Sequence, residues 1–189
     1  MSKSHRAKPS NQVRIIGGDW RGRKLQFPSI EGLRPTPDRV RETLFNWLSP
    51  HIAGAHCLDL YAGSGALGFE ALSRGARSCS FIDNNKQVQA ALASSIEALN
   101  CKDRATMILA DSGSAITLDH SFDLVFLDPP FASHLLADTL DWLLTSQSIH
   151  PKTLIYIEAP KGHELPVCKF SIIKEKASGE VISRLAHIS

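Results

Sequence analysis

The chain lacks the run of about 18 consecutive apolar residues that a membrane-spanning helix needs. Its first residues carry no apolar segment like that of a secretion signal, so we expect a cytoplasmic protein with no membrane partner. Cysteine is scarce and shows no Cys-x-x-Cys spacing; the four are Cys57, Cys79, Cys101 and Cys168. This pattern favours reduced thiols in the core over a disulfide framework or a zinc site, so no metal is expected.

Charge is spread unevenly along the chain, although the net charge is only +2. Residues 1–41 hold ten Lys and Arg against three Asp and Glu, a net charge of +7, and residues 42–189 carry −5. A basic segment on an acidic body is typical of proteins that bind polyanions. We interpret residues 1–12 as a basic flexible tail, residues 13–50 as a small binding unit and residues 51–189 as the main domain.

The sequence of the binding unit predicts a hairpin and a helix. Residues Val13–Phe27 are β-rich runs on either side of Gly-Gly-Asp, which indicates a hairpin. A helix from Arg39 to Leu48 follows, with Asp38 or Thr36 as its N-cap. Its predicted apolar face consists of Val40, Leu44, Phe45 and Trp47 or Leu48.

From residue 55 the pattern alternates between strands and helices. Strands are predicted at Ala55–Tyr61, Ser78–Asp83, Thr106–Ala110, Phe122–Leu127 and Thr153–Glu158, with helices at Ala66–Arg74, Lys86–Asn100, near Ser112–Leu118 and at Ala132–Leu144. Repeated β-α units imply an α/β fold with a parallel sheet covered on both faces. The last two runs, Cys168–Lys174 and Val181–Ala186, predict a terminal antiparallel hairpin.

Two motifs follow predicted strands, and in such sheets ligands bind beyond the carboxyl ends of the strands. The first is the glycine loop Gly63-Ser-Gly-Ala-Leu-Gly68, where Gly63 and Gly65 allow a tight turn and close approach to a ligand. The second is Asp128-Pro-Pro-Phe131, in which two prolines stop the strand and direct carbonyls beyond it. The tetrapeptide alone is also compatible with an ordinary turn. If the strand order reverses at the first strand, both motifs open onto one crevice.

Three acids accompany these motifs. Asp83 ends the second strand, where a carboxylate accepts from both hydroxyls of a ribose, and Asp111 ends the third, near an expected adenine amine. The glycine loop formally satisfies Gly-x-Gly-x-x-Gly, a weak signal for a dinucleotide enzyme. Asp59, in the strand before the loop, counts against a pyrophosphate. Its negative charge suits a cationic cofactor such as S-adenosylmethionine.

The glycine loop with Asp59 and Asp-Pro-Pro-Phe131 resembles the class I S-adenosylmethionine-dependent methyltransferases. The N-terminal blocks Arg14-Ile-Ile-Gly-Gly-x-Trp-Arg-Gly-Arg-Lys24 and Arg34-Pro-Thr-x-Asp-Arg-Val-Arg-Glu-Thr-Leu-Phe-Asn46 are similar to the RsmD family. The resemblance covers about residues 13–186. It implies a Rossmann-like sheet of seven mostly parallel strands with a small N-terminal hairpin and helix. It also implies methylation of the N2 amine of one guanine in 16S rRNA.

The resemblance also implies roles for individual residues. Asp128 and the Pro129 carbonyl accept the two hydrogens of the guanine amine, while Phe131 stacks on the base. The cofactor residues are Asp59, Ala62, Gly63, Ser64, Gly65, Leu67, Asp83, Asp111 and Thr36. The RNA-binding residues, which contact phosphates, are Arg14, Arg21, Arg23, Lys24, Arg34 and Arg39. Relatives commonly carry Glu where this chain has Asp83, which is shorter.

Some interpretations stay open. Trp20 either stacks on a base or packs the hairpin, and Glu158 is expected to be a solvated strand end. The target is a small-subunit particle in which ribosomal proteins or folded RNA assist, and we expect a monomeric enzyme. An alternative is methylation of adenine N6 or another amine on DNA, RNA or protein, although such enzymes typically carry Asn at the Asp128 position. A non-catalytic RNA-binding factor and a dinucleotide oxidoreductase are further alternatives.

Overall fold

The computed structural model of the chain describes residues 11–30, 33, 35–111, 118, 121–130, 135–163, 165 and 169–188. Several predicted features lie outside these residues: most of the basic tail, Arg34, the short helix near Ser112–Leu118 apart from its last residue, Phe131 with the start of the helix Ala132–Leu144, and Cys168. Among the residues described, no helix is both long and apolar enough to cross a membrane.

The elements of the fold follow the predicted alternation. In chain order they are β1 (Asn11–Arg14), β2 (Lys24–Phe27), α1 (Asp38–Leu48) with a 3₁₀ turn at Ser49–His51, β3 (His56–Leu60), α2 (Ala66–Ser73), β4 (Ser78–Asp83), α3 (Lys86–Leu99), β5 (Ala105–Leu109), β6 (Phe122–Leu127), α4 (Leu135–Thr145), β7 (Ile149–Pro160), β8 (Phe170–Ser178) and β9 (Val181–Ile188).

One seven-stranded sheet forms the centre of the molecule, in the order β5-β4-β3-β6-β7-β9-β8. Strands β5, β4, β3, β6 and β7 are mutually parallel, while β9 runs antiparallel to both β7 and β8. The predicted parallel sheet with a terminal antiparallel hairpin is confirmed. The bounds of β4 and β6 agree with the prediction to the residue.

Strand β7 is longer at both ends than the predicted Thr153–Glu158. At its start Ile149 pairs with Phe122, and an irregularity in register absorbs the extra residues before Leu124 meets Leu154. At its end the antiparallel ladder with β9 continues as far as Pro160 opposite Val181. Pairing with strands distant in sequence therefore sets the ends of β7, and the strand propensity of the local sequence does not predict them.

Each face of the sheet covers its own hydrophobic cluster. On one face the hairpin β1–β2, α1, α2 and α3 pack against side chains such as Cys57, Leu124 and Phe126. On the other face α4 packs against alternate residues of the same strands, such as Leu58 and Val125. The N-terminal unit thus shares a core with the main sheet. The three cysteines described, Cys57, Cys79 and Cys101, are buried free thiols.

The N-terminal unit confirms the predicted hairpin and helix but corrects two details. Strand β1 begins at Asn11, inside the predicted tail. Pro37 occupies the N-cap of α1 and no side chain caps it, so the prediction of Asp38 or Thr36 as cap is wrong. Pro37 has φ −57° and ψ 147°, the extended conformation usual for an N-cap, and its carbonyl accepts from the Val40 and Arg41 N–H groups at 2.9 and 3.0 Å.

The apolar face predicted for α1 is also incomplete. Leu44, Phe45 and Leu48 are buried as expected, but Val40 and Trp47 are only half-buried. Arg41 is fully buried on this face. Its guanidinium donates to Asp38 at 2.6 Å, to the Arg14 carbonyl at 2.7 Å and to the Thr36 carbonyl at 3.1 Å.

The fourth partner of Arg41 is Glu70 on α2, at 3.4 Å, and both side chains are inaccessible to solvent. Glu70 Oε2 also accepts from the Ile16 N–H at 2.8 Å, and Oε1 accepts from Arg74 at 2.7 Å. A buried charge costs several kcal/mol unless it is paired and hydrogen-bonded. These contacts satisfy both charges and tie the hairpin and α1 to α2.

Replacing Arg41 by Met should lower the free energy of unfolding by about 3–5 kcal/mol, because the buried Glu70 loses one of its cationic partners and the Arg14 and Thr36 carbonyls lose their donor. Chemical denaturation followed by circular dichroism measures the change. Lys102→Met is the matched control, because its exposed pair with Glu97 at 3.1 Å should contribute no more than about 1 kcal/mol. Equal effects of the two substitutions would contradict the role given to Arg41.

Candidate active site

The site is set by the strand order. The order reverses at β3, which has β4 on one side and β6 on the other, as predicted. A crevice opens at such a point beyond the carboxyl ends of the strands. The glycine loop follows β3, and Asp128-Pro129 follows β6, so the two predicted motifs meet there.

The glycine loop turns by two left-handed residues, Gly63 with φ +52° and Gly65 with φ +70°. The Gly65 N–H donates to the Ala62 carbonyl at 2.7 Å, and Gly65 then caps α2. A Cβ at Gly65 would lie 2.6 Å from the Phe69 ring and 2.7 Å from Leu92. Only glycine therefore fits, both for its backbone conformation and for the space available.

Of the other predicted loop residues, Ala62 and Ser64 are largely buried. The Ser64 hydroxyl accepts from the Ala66 N–H at 3.3 Å, an interaction within the turn. The Leu67 side chain packs in the hydrophobic core. Leu33, from the N-terminal segment, lies 3.6 Å from where a Gly63 Cβ would stand. The segment before α1 therefore lies against the loop.

Asp59 lies in β3 beneath the loop and is 3% exposed. Its Oδ2 accepts from the Gly68 N–H at 2.9 Å, in the first turn of α2. Burial, opposed by this hydrogen bond and aided by the charge of Asp83, raises the pKa of Asp59 to about 8. Asp59 thus connects β3 to α2 by a hydrogen bond and places a carboxyl group beneath the loop.

Asp83 ends β4 next to the loop, and its two oxygens already have backbone partners. Oδ2 accepts from the Gly63 N–H at 3.0 Å and Oδ1 from the Asn85 N–H at 2.9 Å. Asp111 lies just beyond β5, exposed, and its Oδ1 accepts from the Asn84 amide at 2.6 Å. The acids predicted to contact a ribose and an adenine therefore line the same edge of the crevice.

Asp128 and Pro129 lie at the end of β6, with Asp128 half-buried and Pro129 buried. The Thr36 hydroxyl, 6% exposed, donates to Asp128 Oδ2 at 3.3 Å. Burial and the nearby charge of Glu158 raise the pKa of Asp128 well above its usual range, while Thr36 opposes the shift. The structure thus brings Thr36 to Asp128, although 92 residues separate them along the chain.

Glu158 corrects a prediction. It was expected to be a solvated strand end, yet it is 5% exposed at the carboxyl half of β7. The Tyr156 hydroxyl donates to Glu158 Oε1 at 2.6 Å. Burial raises the pKa of Glu158, while hydrogen bonds from Tyr156 and Thr36 lower it. The prediction failed because it placed Glu158 at the end of its strand, whereas β7 continues to Pro160 and its pairing with β9 encloses Glu158.

Tyr61 is a second residue that the sequence analysis missed. It follows β3 with φ +62°, a left-handed conformation that is uncommon for an aromatic residue. Its hydroxyl lies 2.6 Å from the Thr139 hydroxyl on α4, which holds the turn in place. Strain of this kind accumulates at functional sites. No feature of the sequence itself distinguishes Tyr61 from an ordinary strand end.

The basic residues predicted to bind RNA lie on the N-terminal unit, and some have protein partners. Arg14 pairs with Asp38 at 2.9 Å, and Arg23 donates to the Ala98 carbonyl at 2.6 Å. Arg21, Lys24 and Arg39 are exposed. Trp20 is half-buried and packs against the core, and the Arg104 guanidinium lies 5.2 Å from its ring centroid. Packing is therefore the role of Trp20 that the structure shows.

Three features together define a class I methyltransferase. The sheet has one antiparallel strand, β9, inserted next to its edge. The glycine loop follows β3, and the turn Asp128-Pro-Pro130 follows the neighbouring strand β6. The chain belongs to the family described as conserved hypothetical protein 95, whose model matches residues 13–187. This confirms the RsmD family membership predicted from the sequence.

Relatives agree with this assignment. A protein of Haemophilus influenzae named ribosomal RNA small subunit methyltransferase D is 42% identical over 98% of this chain and 98% of its own. The protein of that name from Escherichia coli K12 is 44% identical over 93% and 90%. A solved structure described as the putative methyltransferase yhhF from Escherichia coli has a TM-score of 0.85 at 42% identity, covering 95% of this chain and 99% of its own.

Gly65→Ala should destabilise the fold more than Gly75→Ala. Both glycines have positive φ, so both variants incur the backbone strain of about 1–2 kcal/mol, but only Gly65 has no room for a Cβ. The clash should add roughly 1–3 kcal/mol. Urea denaturation of the two variants measures the difference directly. Equal midpoints would contradict the prediction, because they would show that Phe69 and Leu92 make room for the Cβ without loss of stability.

Proposed function

We propose that the chain transfers a methyl group from S-adenosylmethionine to the N2 amine of one guanine in 16S rRNA. The single observation that carries this proposal is the pairing of Asp128 and Pro129 at the end of β6 with the glycine loop at the end of β3. The names of the relatives support ribosomal RNA of the small subunit as the substrate class.

The crevice fits the proposed cofactor. The glycine loop allows close approach, and α2 begins there with N–H groups that have no partner within the helix. Asp83 offers a carboxylate at the adjacent strand end, and Asp111 lies beside it through Asn84. Asp59 adds acidity beneath the loop. When bound, the cofactor supplies a methyl group on a positively charged sulfur, which suits an acidic crevice.

The residues after β6 suit a guanine amine. A guanine N2 lone pair is delocalised into the ring, so the amine is a poor nucleophile. A carboxylate at Asp128 and the Pro129 carbonyl accept its two hydrogens, hold it and favour pyramidal geometry as the lone pair turns toward the methyl group. The acid also accepts from the N1–H next to the amine. We propose that Phe131, outside the described residues, stacks on the flipped base.

The alternative of an adenine N6 or another amine has less support. An adenine edge presents an acceptor beside its amine, which an amide side chain matches and a carboxylate does not. The chain has Asp at position 128, where it repels such an acceptor. Retention of full activity by Asp128→Asn would favour this alternative.

We further propose that the basic N-terminal unit, residues 13–50, contacts RNA phosphates, with Arg21, Lys24 and Arg39 exposed for that purpose and Arg14, Arg23 and Arg34 as further contacts. Such contacts provide affinity without choice of sequence. We expect folded RNA or ribosomal proteins of the small subunit to specify the one guanine, and we expect the enzyme to act as a cytoplasmic monomer.

Asp128→Ala should lower the methylation rate by roughly 10²–10⁴-fold while S-adenosylhomocysteine still binds, because the residue acts on the amine and not on the cofactor. The assay uses labelled S-adenosylmethionine and small subunits from a strain lacking this gene, with mass spectrometry of the modified nucleoside. Asp103→Ala, an exposed acid after α3, is the control. Label on another atom than N2 would refute the guanine-N2 assignment.

Lys24→Ala should reduce the salt dependence of rRNA binding. Losing one phosphate contact lowers the slope of log affinity against log salt by about 0.7–0.9. Lys152→Ala is the matched control, because Lys152 is exposed near the amino end of β7, away from the crevice. Binding titrations over a range of KCl concentrations separate the two variants, and identical slopes would exclude Lys24 from the interface.

A further inference from the structure

Glu158 stands beside Asp128 in the sheet. Leu127 of β6 is the register partner of Ile157 of β7, so the next residues, Asp128 and Glu158, are neighbours across the two strands. Glu158 is in turn opposite Ser183 of β9, and Ser183 is opposite Lys176 of β8. Register partners project to the same face of a sheet. Two acids, a hydroxyl and an ammonium therefore form one row beyond the crevice.

Within the part of the chain that the structure describes, few hydrogen-bond donors reach the two carboxyl groups. The Thr36 hydroxyl donates to Asp128 at 3.3 Å and also lies within reach of Glu158. The Tyr156 hydroxyl donates to Glu158 at 2.6 Å, with Ser183 Oγ 3.2 Å away. Each hydroxyl has one hydrogen to give. These contacts are too few for two ionised carboxylates side by side in a largely buried place.

We propose that Asp128 and Glu158 form a carboxyl pair that holds one proton in the resting enzyme and receives a second from the amine during methyl transfer. Glu158 is then a positioning residue that acts through Asp128. This inference rests on the proposed function for the identity of the amine, but the shared proton is a property of the free protein.

The proton balance is complete within this pair. The N2–CH₃ bond forms as the S–CH₃ bond breaks, the electron pair of the broken bond stays on sulfur, and N2 becomes positively charged. One N2 proton passes to the singly charged pair, which becomes neutral. The neutral pair then returns a proton to water, so no oxidant, reductant or further reactant is required.

A groove offers the proton a route to solvent. Tyr156 and Ser183 line a cavity of about 180 Å³ between α1 and the β8–β9 hairpin, together with Arg39 and Lys176. Tyr156 thus contacts Glu158 on one side and the groove on the other. The Lys176 ammonium donates to Thr43 of α1 at 3.0 Å, which holds the groove walls together.

The surroundings predict how the pair titrates. Among the residues described, the groups around the pair are Asp59 from β3, Thr36 from the segment before α1, Tyr156 from β7, Ser183 from β9, and Arg39 and Lys176 at the groove. The charge of Glu158 raises the pKa of Asp128, so its removal lowers that pKa. The Tyr156 hydrogen bond lowers the pKa of Glu158, so its removal raises that pKa.

Two variants test the pair in catalysis. The reactive form is singly charged, so the rate falls at low pH, where the pair takes its second proton. A further ionisation follows at higher pH, where the pair loses its last proton against the charge of the neighbouring carboxylate. Glu158→Gln should leave one ionisation in the kcat profile in place of two, and lower kcat with little change in KM for RNA. Tyr156→Phe should move the acid limb to higher pH. Glu175→Gln, an exposed acid on β8, should leave it unmoved.

The free protein gives a readout that needs no substrate. A protonated carboxylic acid gives an infrared carbonyl band. Near neutral pH this band should lose the intensity of one carboxylic acid in Glu158→Gln and equally in Asp128→Asn, because each variant leaves a single acid that ionises. Glu175→Gln, at an exposed acid on β8, should retain that band. Circular dichroism verifies that each variant folds.

The outcomes separate the two proposals. Two ionisations retained in the kcat profile of Glu158→Gln, or a band unchanged in either single variant, would overturn the carboxyl pair even if N2-methylguanine is made. The expected band losses with methyl transfer to a different amine would support the pair and refute the guanine-N2 assignment instead.

Discussion

The buried contact between Arg41 and Glu70 is the constraint on which the rest of the structure depends. Arg41 has four partners in three parts of the chain: Glu70 on α2, the Arg14 carbonyl at the end of β1, and Asp38 with the Thr36 carbonyl at the start of α1. Holding the Thr36 carbonyl fixes the backbone that presents the Thr36 hydroxyl to Asp128. An ion pair that would be expensive if broken thus keeps the N-terminal unit in place over the crevice.

Acids concentrated at the strand ends give the crevice its chemistry. Asp59, Asp128 and Glu158 lie on the same face of three adjacent strands, and the low exposure of this region raises the pKa of each. Like charges so close together favour keeping protons. The negative charge that remains on the carboxyl pair suits a cationic cofactor and can accept the proton that an amine must lose, and it disfavours the pyrophosphate of a dinucleotide.

Much of the fold was predictable because it depends on local patterns. Apolar runs located β4 and β6, and glycine and proline marked the loop at Gly63 and the end of β6. What the sequence did not predict depends on distant parts of the chain. Glu158 is buried because β9 pairs alongside it, and Arg41 is buried because Glu70 meets it from another helix. Charged residues are read as exposed when their partners are unknown.

A crystal structure of the protein with S-adenosylhomocysteine and guanosine tests the central claim most directly. The account predicts the homocysteine compound in the crevice beside the glycine loop. The guanine amine should lie at about 2.7–3.2 Å from both the Asp128 carboxylate and the Pro129 carbonyl. A guanine whose amine points away from Asp128, or a cofactor product bound outside that crevice, would contradict it.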